Sequence, residues 1–347
     1  MEYKKFTALF TDVTKTGTKI PKDEYLTTGK NIIIDQGKDS IAGYTDRQKG
    51  IFEEVPVIVF GDHTRIVKYI DKPFFLGADG VKVLKSKEKE SNYKYLYYAL
   101  KAAHIPNTGY NRHFKWLKQI NMNYPDLNEQ KNIVDILDSL TRIIKVRQKE
   151  LAFFDKLIKA RFVEMFGDPI INNKNIKKKK LGDICLLKAG DFTPSKKISP
   201  VKTSINKYPC FGGNGIRGYV DNYTHQGNYS LIGRQGALCG NVKFATGKFR
   251  NTEHAILVSP NIEINSRWLF ELLNLEKLNR FRSGAAQPGL AVKTLNEIIV
   301  PVADLNSQNE YANFVQQVDK SKFENIVYLN KTLLNKILSQ IGDVIRD

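Results

Sequence analysis

The 347-residue sequence has little cysteine: Cys185, Cys210 and Cys239 all lie in its second half, with no CxxC pair and no histidine at zinc-finger spacing. Three thiols in that pattern exclude a disulfide framework and read as reduced cysteines of a cytosolic protein. Long apolar runs are lacking too. The longest near the N-terminus, Val55 to Phe60, is interrupted by Pro56, so neither a signal peptide nor a membrane span is expected. Acidic residues are short, 36 Asp plus Glu against 54 Lys plus Arg, which leaves a net charge of +18. Such a surface seeks polyanions. With 41% hydrophobic and 11% aromatic residues the chain can bury real cores, which excludes a disordered basic arm, and its length suggests two domains.

Catalytic signatures are also missing. No Walker loop, HExxH, GxSxG or Asn/Asp-Pro-Pro-Tyr/Phe motif occurs, so no catalytic residue, cofactor or metal site is expected. Gly213-Asn-Gly215-Ile-Arg-Gly218 fits GxGxxG, but the β-rich or turn-forming text after it, Tyr219 to Tyr223, is not the helix that a dinucleotide site needs. Pro125-Asp126-Leu-Asn-Glu129-Gln-Lys131 has the letters of a nuclease motif, yet its acids crowd one helix start, where capping is the better reading. The five histidines, His63, His104, His113, His225 and His254, are scattered.

What is present is an internal repeat. Ile41-Ala-Gly43-Tyr44-Thr-Asp46 returns as Ile216-Arg-Gly218-Tyr219-Val-Asp221, 175 positions on. Asn92-Tyr-Lys94-Tyr95-Leu96-Tyr97 returns as Asn265-Ser-Arg267-Trp268-Leu269-Phe270 after 173, and Asp126-Leu127-Asn128-Glu-Gln130 as Asp304-Leu305-Asn306-Ser-Gln308 after 178. Three matches in one order at nearly constant offset argue for a duplicated unit with insertions in its loops.

Each unit divides in two. Short β-rich runs, Asn31 to Ile34, Val55 to Phe60 and Gly80 to Leu84, separated by Gly and Asp turns predict a mixed α+β domain. After Pro125, with Asn128 as cap, Ile133, Leu137, Leu140, Ile144, Leu151, Phe154, Ile158 and Phe162 recur at helical spacing, until Gly167-Asp168-Pro169 stops the pattern. A helix over 128–165 would be roughly 55 Å long at ~1.5 Å per residue. In the second half Tyr311, Val315, Val318, Ile326, Leu329, Leu333, Ile337 and Ile341 form a similar stripe. A helix of this length needs a partner for its stripe and the other repeat supplies one of matching length, so two globular heads held apart by paired helices are expected; the alternative is that each helix packs on its own domain.

Basic side chains in Gly- and Asn-rich loops are the candidates for gripping phosphates and reading base edges. In the first domain these are Arg47, Gln48, His63, Arg65, Tyr110, Arg112 and His113; in the second, Asn214, Arg217, Arg234, Gln235, Arg250, Arg282, Ser283 and Gln287. Any one of them could equally be an ordinary solvated charge. Lys174 and Lys177 to Lys180 form either a phosphate-binding patch or a solvated linker.

Several short motifs together carry a family resemblance: Leu181-Gly182-Asp183-Ile184, Gly233-Arg234-Gln235-Gly236-Ala237 within Tyr229 to Gly240, Ser283-Gly-Ala-Ala-Gln287, Leu127-Asn128-Glu129-Gln130-Lys131, and Arg161-Phe-Val-Glu-Met-Phe-Gly167-Asp168-Pro169. With them nearly the whole chain resembles the specificity subunits of type I restriction-modification systems. The first domain departs from the pattern, since Phe6-Thr-Ala-Leu-Phe10 lacks the Leu-Gly-Asp opening and Gly109-Tyr110 replaces the Ser-Gly segment.

The resemblance implies an α+β fold of two α/β target recognition domains in internal repeat, at 1–126 and 169–304. These would be separated and joined by two long antiparallel coiled-coil-like helices at 127–168 and 305–347. It further implies a non-catalytic, cytoplasmic subunit that reads a bipartite, asymmetric site on double-stranded DNA. Two methyltransferase subunits would dock on the helices, through Leu137, Leu140, Ile144, Leu151, Leu329 and Leu333, and restriction subunits would join through them. S-adenosylmethionine, ATP and magnesium would belong to those partners. A stand-alone magnesium-dependent nuclease and a coiled-coil DNA scaffold without sequence preference are the alternatives.

Overall fold

The computed structural model describes residues 3–328 apart from Ala78 and 285–287. Leu329, Leu333, Ile337 and Ile341 of the second stripe, and Gln287 among the loop candidates, lie outside the described residues. The chain forms two compact units: the first runs to Gln148 and takes in the stretch from Ile326, and the second is Lys149–Asn325.

The first unit opens with β1 (Tyr3–Lys5), α1 (Phe6–Leu9) and β2 (Phe10–Asp12). There follow β3 (Asn31–Ile34), β4 (Gly43–Thr45), β5 (Val57–Gly61), β6 (Val67–Ile70), β7 (Phe74–Leu76) and β8 (Val81–Ser86). Helices α2 (Tyr93–Ala102) and α3 (Phe114–Leu117), then β9 (Asn121–Asn123), lead into the 40-residue α4 (Leu127–Phe166), which continues into the second unit. One sheet has the order β2-β8-β5-β6 and another β4-β3-β7, while β1 pairs with β9. Strand β5 is buried on both faces because alternate side chains serve different cores. Ile58 and Phe60 pack with α1, α2 and the start of α4, whereas Val57 and Val59 pack with Phe74, Leu76 and Val83.

The second unit repeats the scheme. Its elements are β10 (Lys178–Lys180), α5 (Leu181–Ile184), β11 (Cys185–Ala189), β12 (Tyr208–Gly212), β13 (Gly215–Val220), β14 (His225–Gly233), β15 (Val242–Asn251) and β16 (Ala255–Pro260). After them come α6 (Ser266–Leu275), α7 (Val292–Asn296), β17 (Ile299–Pro301) and α8 (Leu305–Tyr328). Its single sheet, β11-β16-β14-β15-β12-β13, follows the order of the first unit's two sheets, with β12 running antiparallel to β13 and parallel to β15 as β3 does to β4 and β7. The single strand β15 corresponds to β6 plus β7, which Pro73 separates by withholding a ladder donor. The Lys177–Lys180 run includes β10, which pairs with β17.

The repeat is visible at single bonds. Asn92 and Asn265 cap α2 and α6, each accepting two main-chain N–H groups at 3.0–3.2 Å. Gln130 and Gln308 each donate Nε2 to a carbonyl five residues back, at 2.8 Å. The cap of α4 is Asp126, not Asn128 as expected: its carboxylate accepts from Glu129 N–H at 3.0 Å, as that of Asp304 accepts from Ser307 N–H at 2.9 Å. Although the first domain lacks the Leu-Gly-Asp letters, α1 makes the turn that α5 makes: Phe6 and Leu181 donate N–H to Ile120 and Ile298 at 3.0 and 2.8 Å.

The long helices lie first on their own domains. Ile133, Leu137, Leu140 and Ile144 enter the first unit's core, as Tyr311, Val315 and Val318 enter the second's. Lys94 on α2 pairs with Asp138 of α4 at 2.5 Å, and Arg267 on α6 pairs with Asp319 of α8 at 3.1 Å. Within the second unit α8 then runs antiparallel to the C-terminal part of α4, with Arg161 on Glu310, Tyr311 hydroxyl on the Ile158 carbonyl, Lys322 on Asp155 and Asn325 on Glu150, at 2.7–3.2 Å. Phe162, Phe166, Trp268 and Tyr311 fill the join at centroid distances of 5.0–6.2 Å. Leu137 and Leu140, 2% and 8% exposed, are therefore domain core and not open to a partner; Ile144 is half-buried against the same core, and Leu151 is half-buried. The outward side of α4 carries Ile136, Ile143 and Val146 in the first unit and Phe153 and Leu157 in the second.

Candidate nucleic-acid interface

In the second unit the loop after β14 is built on main-chain bonds. Arg234 donates its N–H to the His254 carbonyl at 2.9 Å, and its own carbonyl accepts from Leu290 N–H at 2.8 Å. Gly236 N–H reaches Pro288, and Ser283 and Gly289 exchange bonds at 2.8–2.9 Å. Around this frame Asn214 accepts from Asn241 Nδ2 at 3.0 Å, while His254 lies between Gln235 Oε1 at 3.2 Å and Glu253 at 3.1 Å. Asn214, Arg234, Gln235, Arg282 and Ser283 are thus drawn to one rim. The guanidinium groups of Arg234 and Arg282 make no hydrogen bond among the described residues. Arg217 and Arg250 form a neighbouring group around Thr193 and Ser195. Burial raises the Cys210 thiol beneath them, against the pull of those two positive charges.

The loop after β5 repeats that frame with other side chains. Asp62 donates N–H to the Gly80 carbonyl at 2.7 Å and accepts His113 N–H at 2.8 Å. Its carboxylate faces inward, taking Phe114 N–H at 2.7 Å. Gln36, after β3, accepts His63 N–H and donates to Asp79 O, as the turn after β12 supports its own rim. His63 stacks on Tyr110 with centroids 4.7 Å apart and planes 8° apart, and Tyr110 is 87% exposed. Beside the pair a cavity of about 600 Å³ is lined by Asp12, Lys15, Lys19, Asp79, Lys82 and Arg112. Lys19 lowers the Asp79 carboxyl from its ordinary range; at Asp12 burial acts upward, but Thr14 and Lys82 outweigh it. Arg112 makes no hydrogen bond among the described residues.

Three of the expected first-domain contacts lie elsewhere. His113 is fully buried, its ring held by the Asp62 carbonyl at 3.0 Å and Thr108 at 3.4 Å, so it supports the loop from below. Arg65, at φ +62°, turns back to donate to the Ile105 carbonyl at 3.0 Å. Arg47 is paired with Glu24 at 2.5 Å, next to an exposed Gln48. Sequence reasoning passed over Gln36, Asn241 and His254 as site residues. The one signal for them was position, because each adjoins the end or start of a strand around the rim. Among the described residues no group of three or more His, Cys, Asp or Glu side chains could hold a metal ion, and no helix is long and apolar enough to cross a membrane.

Two mixed domains with one frame and different rims define a class that comparison with known proteins identifies. The chain belongs to the type I restriction modification DNA specificity domain family, whose model matches residues 2–152 and 173–338. It is 39% identical over 202 residues to the type I restriction enzyme EcoprrI specificity subunit of Escherichia coli, covering 55% of this chain and 48% of that one. The chain therefore spans about half the length of that curated relative. To the type I restriction enzyme MjaVIII specificity subunit of Methanocaldococcus jannaschii it is 23% identical over 322 residues, 78% of this chain and 75% of the relative. Its fold resembles the crystal structure of the type I restriction-modification S subunit from M. genitalium, with a TM-score of 0.65 at 20% identity, covering 100% and 96% of the two chains.

Proposed function

We propose that this chain is the DNA-reading subunit of a type I restriction-modification complex, with no chemistry of its own. Its recognition domains, 1–126 and 169–304, each read one half of a bipartite, asymmetric duplex target, and the long helices α4 and α8 set the unread spacing between the halves. Two methyltransferase subunits dock on those helices, and restriction subunits join through them; S-adenosylmethionine, ATP and magnesium belong to those partners. The observation that carries this reading is the rim frame shared by Asp62 and Arg234, since one scaffold with two different sets of side chains is what two different half-sites require. The docking surface is the outward side of α4 in the first unit, Ile136, Ile143 and Val146, because its inward leucines already belong to a core.

Competition binding of the methyltransferase-bound protein tests the proposal. One methylated target sequence should outcompete duplexes altered in either half by the 10³-fold or more that specific DNA binders show. A non-specific scaffold would show no such advantage, and a stand-alone nuclease would cut DNA with magnesium and no partner.

A further inference from the structure

The second unit holds two arginines outside the Arg234 frame in an arrangement of their own. Arg250, in β15, donates Nε to Thr193 Oγ1 at 3.1 Å and a terminal nitrogen to Asn222 Oδ1 at 3.0 Å. Arg217, in β13, reaches Ser195 Oγ at 3.5 Å, and its stem lies over Gly212, where a Cβ would come within 2.6 Å of Arg217 Cδ. A single tripeptide, Thr193-Pro194-Ser195, thus ties down both guanidinium groups, and Thr193 is itself buried.

Every side-chain partner of these two arginines among the described residues is a neutral oxygen. That differs from Arg161, Arg267 and Arg280 in the same unit, each of which meets a carboxylate at 2.6–3.1 Å. A carboxylate partner would neutralise the cation, whereas hydroxyl and amide oxygens fix its direction and leave its charge whole. Two oriented, uncompensated guanidiniums with outward donors to spare match an oxyanion, and on DNA the oxyanion is the phosphodiester. Place agrees with chemistry: Gly212 lies under Arg217, and the next residues, Gly213 and Asn214, already belong to the Arg234 rim, where an added Cβ on Gly213 would sit 3.1 Å from the His254 carbonyl.

We propose that Arg217 and Arg250 form a phosphate clamp, which grips the DNA backbone beside the bases that the Arg234 rim faces and carries no sequence information itself. The inference rests on the reading of the second unit as a DNA binder. Its test uses the protein assembled with its methyltransferase subunits and two fluorescent duplexes, the methylated target sequence and a scrambled one, with Kd measured from 50 to 300 mM salt. Arg217→Gln and Arg250→Gln should each weaken binding to both duplexes by the same factor and reduce the log–log salt slope by about 0.9 for each phosphate no longer neutralised. Arg250→Lys keeps the charge but cannot keep both anchoring bonds, so it should bind more weakly at a nearly unchanged slope. A loss confined to the target duplex, or a changed base preference, would make these arginines base readers and overturn the clamp; an unchanged slope in the glutamine variants would overturn it as well. If the unsubstituted complex does not prefer the target, the specificity reading falls, while the salt slopes on scrambled DNA still decide the clamp.

Discussion

Asp62 and Arg234 occupy the same main-chain position in two duplicated domains, each donating its N–H across the rim, at 2.7 and 2.9 Å, and accepting another at 2.8 Å through its carbonyl. Duplication kept the hydrogen-bonded frame and changed what projects from it. An inward carboxylate that accepts the Phe114 N–H stands in one domain, and in the other a guanidinium with no hydrogen bond among the described residues.

Substitution at the two positions should therefore have different consequences. Arg234→Ala should relax recognition in one half-site by about 1–3 kcal/mol, the value of one bidentate pair with a base, with the other half read as before. Asp62→Ala removes a buried acceptor and should lower the stability of the first unit by about 1–3 kcal/mol. Denaturant titration and half-site competition separate the two. Uniform weakening by Arg234→Ala on all sequences would assign that residue to a phosphate.

The two sides of α4 predict opposite phenotypes. Leu137→Ala should destabilise the first unit by about 2–5 kcal/mol, as truncation of a buried leucine does. Ile143→Asp paired with Val146→Asp should leave the thermal transition nearly unmoved and abolish co-purification with methyltransferase subunits. A folded double variant that still forms the complex would remove α4's outward side from the docking surface.

Arg267 joins α6 to α8, pairing with Glu271 and Asp319 at 3.1 Å while its guanidinium lies 5.4–5.5 Å from the rings of Phe244 and Phe270. Burial raises the Glu271 carboxyl even though Arg267 pulls it down. Arg267→Met should lower stability by about 3 kcal/mol at neutral pH by stranding that carboxylate. Because a raised acid is favoured protonated in the fold, the loss should shrink as pH falls toward the carboxylate range and grow as pH rises. Thermal melts of the variant at pH 5 and pH 8 check this; an equal loss at both would show that Glu271 does not titrate with the fold.

Asp138 should behave with the opposite sign. Burial acts upward on its carboxyl, but the hydrogen bonds from Lys94 and Tyr98, the latter at 2.6 Å, outweigh it and hold the group low. Its contribution is present above the unfolded value near ~3.9 and is lost as pH falls through the lowered one. The stability difference between wild type and Asp138→Asn should accordingly narrow below about pH 4; a constant difference down to pH 2.5 would contradict the assignment.

Much of this was legible in the sequence because the repeat marks positions where side chains bond to main chain. Asn92 and Asn265, Asp126 and Asp304, and Gln130 and Gln308 matched as letters and recur as the same hydrogen bonds. The turn at Phe6 was not legible from letters, since its frame uses main-chain atoms and only an apolar first residue. Nor was the fate of His113 or Leu140. A histidine in a basic loop and a leucine on a helical stripe look the same whether they face solvent, a partner or their own core, and only the pairing of loop 62 with loop 113 and of α4 with its domain decides between them.

The most direct test of the account is methylation-site sequencing of DNA modified by the assembled methyltransferase before and after residues 169–304 are exchanged for those of a relative with a different target. The account predicts a bipartite motif in which one half changes, while the other half and the spacing stay as they were. A motif altered in both halves, or no motif at all from an intact complex, would contradict it.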